Sequence, residues 1–171
     1  LKPRWCDLKI LPTELSMSIR IASKNDLVAI NQVIEEAIMN WPLAERAKRL
    51  IMPVLRYSDA EDLDYYQALV WEANQKIVGL ATWDISRRIE TVNGKANLLH
   101  GLYVSPDFQG RGIGKRLIDE VARRALQSDP SLDGLLIKAE RVAVGFFESC
   151  GLTQLKAMSV EDYPYQFWKP L

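Results

Sequence analysis

The sequence predicts a single α/β (α+β) domain built on one central, mixed, mostly antiparallel twisted sheet flanked by helices. Three observations carry this expectation. Two β-rich runs, Tyr66 to Ala73 and Lys76 to Asp84, stand either side of Asn74-Gln75 and read as an antiparallel hairpin. Further along, strand, helix, strand and helix follow one another from Leu98 to Ser149, an order that needs a right-handed crossover between parallel strands. Finally, 171 residues, 48% hydrophobic and 26% charged, suffice for one core without disulfide or metal staples.

Taken in order, residues 1–16 (LKPRWCDLKILPTELS) show no clear period and read as an N-terminal extension, leaving 17–171 as the domain. Ser18 to Ala22 alternates apolar and polar side chains, as a half-buried strand does. Ser23 and Asp26 form a capping box, and Leu27, Ile30, Val33, Ile34, Ala37 and Ile38 recur at helical spacing until Asn40-Trp41-Pro42. A second helix is expected from Pro42 to Pro53, with Leu43, Ala47, Leu50 and Ile51 as its buried stripe. Ser58 with Glu61 is another capping box, for a helical turn over Asp59 to Asp64.

After the hairpin, residues 86–95 carry four charges and the turn signal Asn93-Gly94, so they read as a loose connection. Asn97 to Ser105 is a strand ended by Pro106, and Gly101 within it marks a bulge or a close approach. Ile113, Leu117, Ile118, Val121, Ala122, Ala125 and Leu126 make the apolar stripe of a helix packed on the sheet. Ser128-Asp129-Pro130 breaks it. Leu135 to Ala139 is a short buried strand, Val142 to Ser149 a helix ended by Gly151, and Thr153 to Met158 with Tyr165 to Lys169 the closing strands.

Lys+Arg and Asp+Glu both number 22, which argues against a broad electrostatic nucleic-acid surface while leaving a local basic patch at Arg111, Lys115 and Arg116. No run of about 18 apolar residues exists to span a bilayer, and the N-terminus lacks the apolar core of a secretory signal. Cys6 and Cys150 lie at opposite ends of the chain and His100 is its only histidine, so no metal site is expected. A reducing, cytoplasmic setting and no membrane or nucleic-acid partner are the expectations.

The stretch LLHGLYVSPDFQGRGIGKRLIDEVARRAL, Leu98 to Leu126, is a strand, a glycine-rich loop and an amphipathic helix in succession. Gln109, Gly112 and Gly114 form a Q-x-x-G-x-G loop where the helix begins, and backbone N–H groups at such a start gather around an anion. Gly110 stands only four residues before Gly114, with Arg116 where a Walker loop needs a hydroxyl, and G-x-G-x-G is not the dinucleotide fingerprint. The remaining alternative is that these glycines only turn the chain and allow close packing.

LYVSPDFQGRGIGKRLI resembles the acyl-CoA-binding motif of the GNAT superfamily of N-acyltransferases, matched at Val104, Pro106, Gln109, Gly112, Gly114 and Leu117. AVGFFESCGL is similar to the second signature helix of that family. The resemblance implies a GNAT-like domain with a splayed pair of parallel strands, and acetyl-CoA as cosubstrate in the gap between them. Leu102, Tyr103 and Val104 would then bond pantetheine through their backbone, and Gln109, Gly110, Arg111, Gly112, Ile113, Gly114 and Lys115 would hold the pyrophosphate. Phe147 would sit beside the thioester.

The implied reaction is direct attack of a primary amine of a small molecule, peptide or protein on the thioester. At a pKa of about 10.4 roughly one amine in a thousand is neutral near pH 7, so a base helps. His100 is the candidate base, expected by strand alternation to share a face with Leu102 and Val104, although a strand histidine is also an ordinary structural residue. Glu140 stands where the family usually has asparagine and is a weaker alternative base or a solvated charge. Phe147 stands where the family commonly has a proton-donating tyrosine; Tyr103 is a substitute only if its ring turns to the sulfur, and Cys150 reads as a packed helix end. A catalytically weak or inactive acyl-CoA-binding module therefore stays open beside the enzyme. Of Trp41, Trp71, Trp83, Tyr65 and Tyr66, at least three are expected in packing and the others around the acceptor amine. A homodimer through late strands is also implied, with the apolar tail Tyr163 to Trp168 suited to it.

Overall fold

The structure is a computed structural model that describes residues 16–156 and 164–171. The proposed extension, apart from Ser16, and part of the segment before the last strand therefore lie outside the described residues. Seven strands form one sheet in the order β1-β2-β3-β4-β5-β7-β6. They are β1 (Met17–Ile21), β2 (Gln67–Ala73), β3 (Lys76–Thr91), β4 (Gly94–Val104), β5 (Gly134–Lys138), β6 (Thr153–Leu155) and β7 (Gln166–Pro170). Among the described residues only β4 and β5 pair parallel; all other neighbours run antiparallel.

Helices cover both faces. On one, α1 (Leu27–Met39) and α2 (Glu45–Leu55) close a core of Ile30, Ile34, Ile38, Val70, Leu80 and Tyr103. On the other, α4 (Ile113–Ser128) and α5 (Val144–Ser149) close a larger core with Trp71, Trp83, Leu99, Leu117, Phe147 and Phe167. Gly79 permits the close approach of α4: a methyl group there would stand 3.1 Å from both Ile113 Cγ2 and Trp71 Cβ.

The β2–β3 turn follows from its two residues. Asn74 and Gln75 both take positive φ, 50° and 65°, the handedness that matches the twist of a two-residue hairpin. At the start of α1, Asp26 Oδ2 accepts from the Ser23 N–H at 2.7 Å, so the expected capping box is present. α5 ends as expected on Gly151, in the left-handed region at φ 74°, with the Leu152 and Gly151 N–H groups bonding the carbonyls of Phe147 and Glu148.

Four local expectations are corrected. The second helix begins at Glu45 and runs through Pro53 to Leu55, because Pro53 falls in the last turn, where the Arg49 carbonyl it leaves without a donor is open to water. Its inward face is Lys48, Ile51, Met52 and Leu55, whereas Leu43 and Leu50 point outward. Lys48 is buried because its Nζ donates to the Met39 carbonyl at 2.7 Å, tying α2 to the C-terminus of α1. The next turn, α3 (Asp62–Tyr65), is capped by Asp59 with Asp62, and not by Ser58 with Glu61: Asp59 Oδ1 accepts from the Glu61 and Asp62 N–H groups, and Asp62 Oδ2 from those of Ser58 and Asp59.

The supposed loose connection at residues 86–95 is instead mostly strand. β3 continues to Thr91 and pairs again with β4 from Ile89 onward, after an irregular step between Asp84 and Ile89. Asp84 Oδ1 accepts from Ser86 and Arg87 N–H groups and so shapes that step.

Candidate functional site

The site grows from an interruption in the sheet. β4 and β5 pair from Ala96 with Gly134 to Leu99 with Ile137, and their pairing ends there, while β4 continues to Val104 bonded only to β3. The backbone edge of β4 beyond His100 therefore faces a gap. Pro106–Phe108 turns the chain, and the loop runs to Gly112, which enters α4 in the left-handed region.

The glycines of the loop do different work. Gly110 and Gly112 have φ of 73° and 78°, a conformation side chains rarely adopt, and a methyl group on either would meet nothing within 4 Å. Their backbone is thus open to an approaching ligand. Gly114 is buried inside α4, where a methyl group would lie 2.8 Å from Phe146 Cζ. Gln109 ties the loop down by donating from Nε2 to the Val104 carbonyl at 2.9 Å. The first N–H groups of α4 have no partner within the helix, so they and the helix dipole point at whatever lies before Ile113.

Together these elements line a cleft of about 570 Å3. Leu102, Tyr103 and Val104 form one wall, Gln109, Gly110, Gly112, Ile113, Gly114 and Lys115 the loop end, and Phe147 part of the opposite wall. Arg111, expected with them, does not line the cleft; its guanidinium lies over the Phe108 ring at 5.1 Å and donates to the Asp107 carbonyl. Trp41 and Asn40, just after α1, complete the rim. Cys150 caps α5 at the cleft, half-buried, with its thiol pKa pushed up by burial. Tyr103 is buried against the α1-side core as well as lining the cleft.

His100 and Glu140 do not line this cleft. Glu140 is exposed, at the turn that precedes α5. His100 is the extra residue of a β-bulge: Thr82 pairs with Gly101 and the next residue, Trp83, with Leu99. The bulge breaks the alternation on which the expected shared face depended. His100 stacks on Tyr66 at 4.3 Å between ring centroids, on the side of the core that holds Tyr103, whereas Leu102 and Val104 pack into the opposite core. Its imidazole pKa is lowered by desolvation, against the nearby charge of Asp84.

Behind the bulge lies a feature that sequence spacing did not reveal. The Tyr57 hydroxyl donates to Thr82 Oγ1 at 2.8 Å, and Tyr57 itself is clamped by the Asn31 amide, which accepts from its N–H and donates to its carbonyl. Of the five aromatic residues singled out above, Trp71 and Trp83 are core, Tyr66 meets His100, Trp41 reaches the cleft and Tyr65 is exposed.

A family model described as "Acetyltransferase (GNAT) domain" matches residues 44–163. The chain belongs to the GNAT acetyltransferase family. Among the relatives of this GNAT chain, the L-amino acid N-acyltransferase MnaT of Escherichia coli is 29% identical over 115 residues, 64% of this chain and 63% of that protein. An L-methionine sulfoximine/L-methionine sulfone acetyltransferase of Salmonella typhimurium is 30% identical over 112 residues, 63% of this chain and 64% of that protein. The match thus spans less than two thirds of the length of either relative.

Solved structures share the fold of this GNAT chain. PaiA N-acetyltransferase of Thermoplasma acidophilum, in complex with coenzyme A, superposes with a TM-score of 0.70 at 19% identity, covering 91% of this chain and 99% of that one. A GNAT family acetyltransferase of Brucella melitensis, in complex with acetyl-CoA, gives 0.61 at 19% identity over 91% and 88%.

Proposed function

We propose that this chain transfers an acetyl group from acetyl-CoA to a primary amine of a small molecule, peptide or protein by direct attack. The observation that carries the proposal is the end of β4–β5 pairing at Leu99 and Ile137, beside a glycine loop that opens α4. Backbone groups of Leu102 and Val104, the alternate residues turned to that edge, suit the amides of pantetheine, with Tyr103 between them bonding toward β3, as sheet edges suit extended peptides. Gly110, Gly112 and the first turn of α4 suit the pyrophosphate, since no side chain blocks their N–H groups. Phe147 and Leu102 supply apolar walls beside the thioester end.

When bound, acetyl-CoA supplies the thioester carbonyl that the amine attacks. His100, outside the cleft on the α1 side of β4, takes the amine proton from that face: its imidazole pKa is lowered by desolvation, so the neutral form with a free lone pair is present near pH 7. Neither Phe147 nor an exposed Glu140 away from the cleft supplies an acid, and a thiol of pKa about 8.5 leaves as thiolate without one. The two relatives act, by their names, on L-amino acids and on methionine sulfone and sulfoximine, which makes α-amino groups of amino acids the first acceptors to try.

Phe147 in place of a tyrosine favours one second reading, an acyl-CoA-binding module without turnover. Calorimetry with acetyl-CoA followed by thiol release over a panel of amino acids, polyamines and peptides separates the two. Binding with acceptor-dependent release is the expected result. Binding without release supports the module, and no binding removes both.

A further inference from the structure

We infer that Tyr57 is a positioning residue for His100, holding the bulge of β4 in place through its hydroxyl bond to Thr82. The inference deepens the proposed function and rests on its reading of His100 as the base.

A bulge residue has lost its ladder partner, so its orientation depends on what braces the strand around it. At this bulge the brace comes from β3. Thr82 is fully buried and pairs with Gly101, and a methyl group on Gly101 would lie only 3.1 Å from Thr82 Oγ1. The rotamer of Thr82 is therefore felt directly by the backbone next to His100. That rotamer is fixed by Tyr57, whose hydroxyl donates to Oγ1 at 2.8 Å.

Tyr57 is in turn immobile. Its N–H and carbonyl both bond the side-chain amide of Asn31 on α1, at 3.0 and 2.9 Å, with Asn31 itself buried. A reciprocal pair of this kind, made by a neutral amide in a dry site, leaves no low-energy alternative for the backbone. Tyr66 completes the brace from the open side, its ring 6.3 Å from Tyr57 and 4.3 Å from His100. The line α1, Tyr57, Thr82, Gly101 thus braces the backbone that carries the exposed His100, while Tyr66 stacks on its ring.

Tyr57 does not titrate in the working range. Burial pushes its phenol up to about 12, so it stays a neutral donor and is no candidate acid. The titratable groups that face His100 are Asp84 on β3, which favours the charged imidazole, and Tyr66 ahead of β2.

Because His100 is the only histidine in the chain, its ring protons in untagged protein report one site by NMR. Tyr57→Phe keeps the ring and removes the hydroxyl; Thr82→Val removes the acceptor; Thr82→Ser retains it. The first two are expected to move the His100 titration upward, toward the ordinary 6.5, as the loosened bulge admits water, and Thr82→Ser to leave it near wild type. With L-methionine sulfone as amine probe, thiol release should fall about ten- to a hundredfold in kcat in Tyr57→Phe, with acetyl-CoA affinity unchanged. A His100 titration unmoved in both Tyr57→Phe and Thr82→Val, in variants that melt as cooperatively as wild type, overturns the inference, whatever the turnover. His100→Ala is a separate arm: a pH–rate profile unaltered by it removes His100 as the base without touching the titration result.

Discussion

A methyl group at Gly114 would lie 2.8 Å from Cζ of Phe146, so the half-exposed Phe146 ring on α5 would have to swing aside to admit it. The third glycine of the loop motif is there for packing, while Gly110 and Gly112 are there for backbone conformation. Gly114→Ala should therefore destabilise the fold by no more than about 1 kcal/mol, because the Phe146 ring can move and alanine favours the helix. Phe146→Leu should restore much of it. Thermal melts of the single and double variants decide the matter; additive losses would mean that the two positions do not conflict.

Gly112 separates conformational cost from ligand contact. With φ at 78° and open space around it, Gly112→Ala should cost about 1–2 kcal/mol of stability and only modestly weaken acetyl-CoA. Gly112→Glu adds a carboxylate facing the pyrophosphate and should weaken acetyl-CoA more than tenfold beyond the alanine variant, read by calorimetry. Equal affinity in the two variants would remove the anion cradle.

The pH dependence of turnover follows from His100. Its pKa is depressed below 6.5 by desolvation, so the neutral base form is present near pH 7 and is lost as the pH falls through that lowered value. The kcat profile of the wild type should carry an inflection below pH 6.5, and His100→Ala should erase it while lowering kcat by about a hundredfold. Survival of the inflection in His100→Ala would assign it to another group.

Asp26 sets a second pH effect, on stability. Hydrogen bonds from Arg20, and then from Ser23, hold its carboxyl down at about 2 against burial, and Arg20 also reaches Glu72 on β2. A depressed carboxyl stabilises the fold above its unfolded value of 3.8 and ceases to as the pH falls through about 2. Asp26→Asn should cost about 1 kcal/mol at pH 7, allowing for the solvent exposure of Arg20, and almost nothing at pH 2. Urea unfolding at the two pH values measures the difference, and a cost of equal size at both would place it in packing instead.

Much of the fold was legible because the core helices and strands each bury one face. α4 and α1 each carry an apolar stripe, that of α1 broken only by the buried Asn31, and Asn74-Gln75 or Gly151 punctuate where backbone handedness requires it. What stayed hidden depends on partners distant in sequence. The second half of β3 is charged and mostly exposed, so no burial pattern marked it, and only pairing with β4 makes it a strand. Lys48 reads as a solvated charge until the Met39 carbonyl is beside it. The face of His100 is hidden from the sequence for a similar reason. Gly101 flagged a bulge, but which residue it displaces is set by register with Thr82 and Trp83. The bond of Tyr57 to Thr82 spans 25 residues and has no local signature at all.

The early end of β4–β5 pairing has a consequence for how the empty and loaded protein differ. From His100 to Val104, β4 has a strand partner on one edge only, with the Val104 carbonyl held by the Gln109 side chain, so the sheet is left incomplete along one short seam. On the proposed reading, the missing rung is delivered by the cosubstrate, and loading amounts to the last step of sheet formation. The affinity for acetyl-CoA would then be spent partly on stiffening the seam. Amide exchange at Leu102 and Val104 should slow on loading, because those protons would exchange solvent for a strand that the gene does not encode.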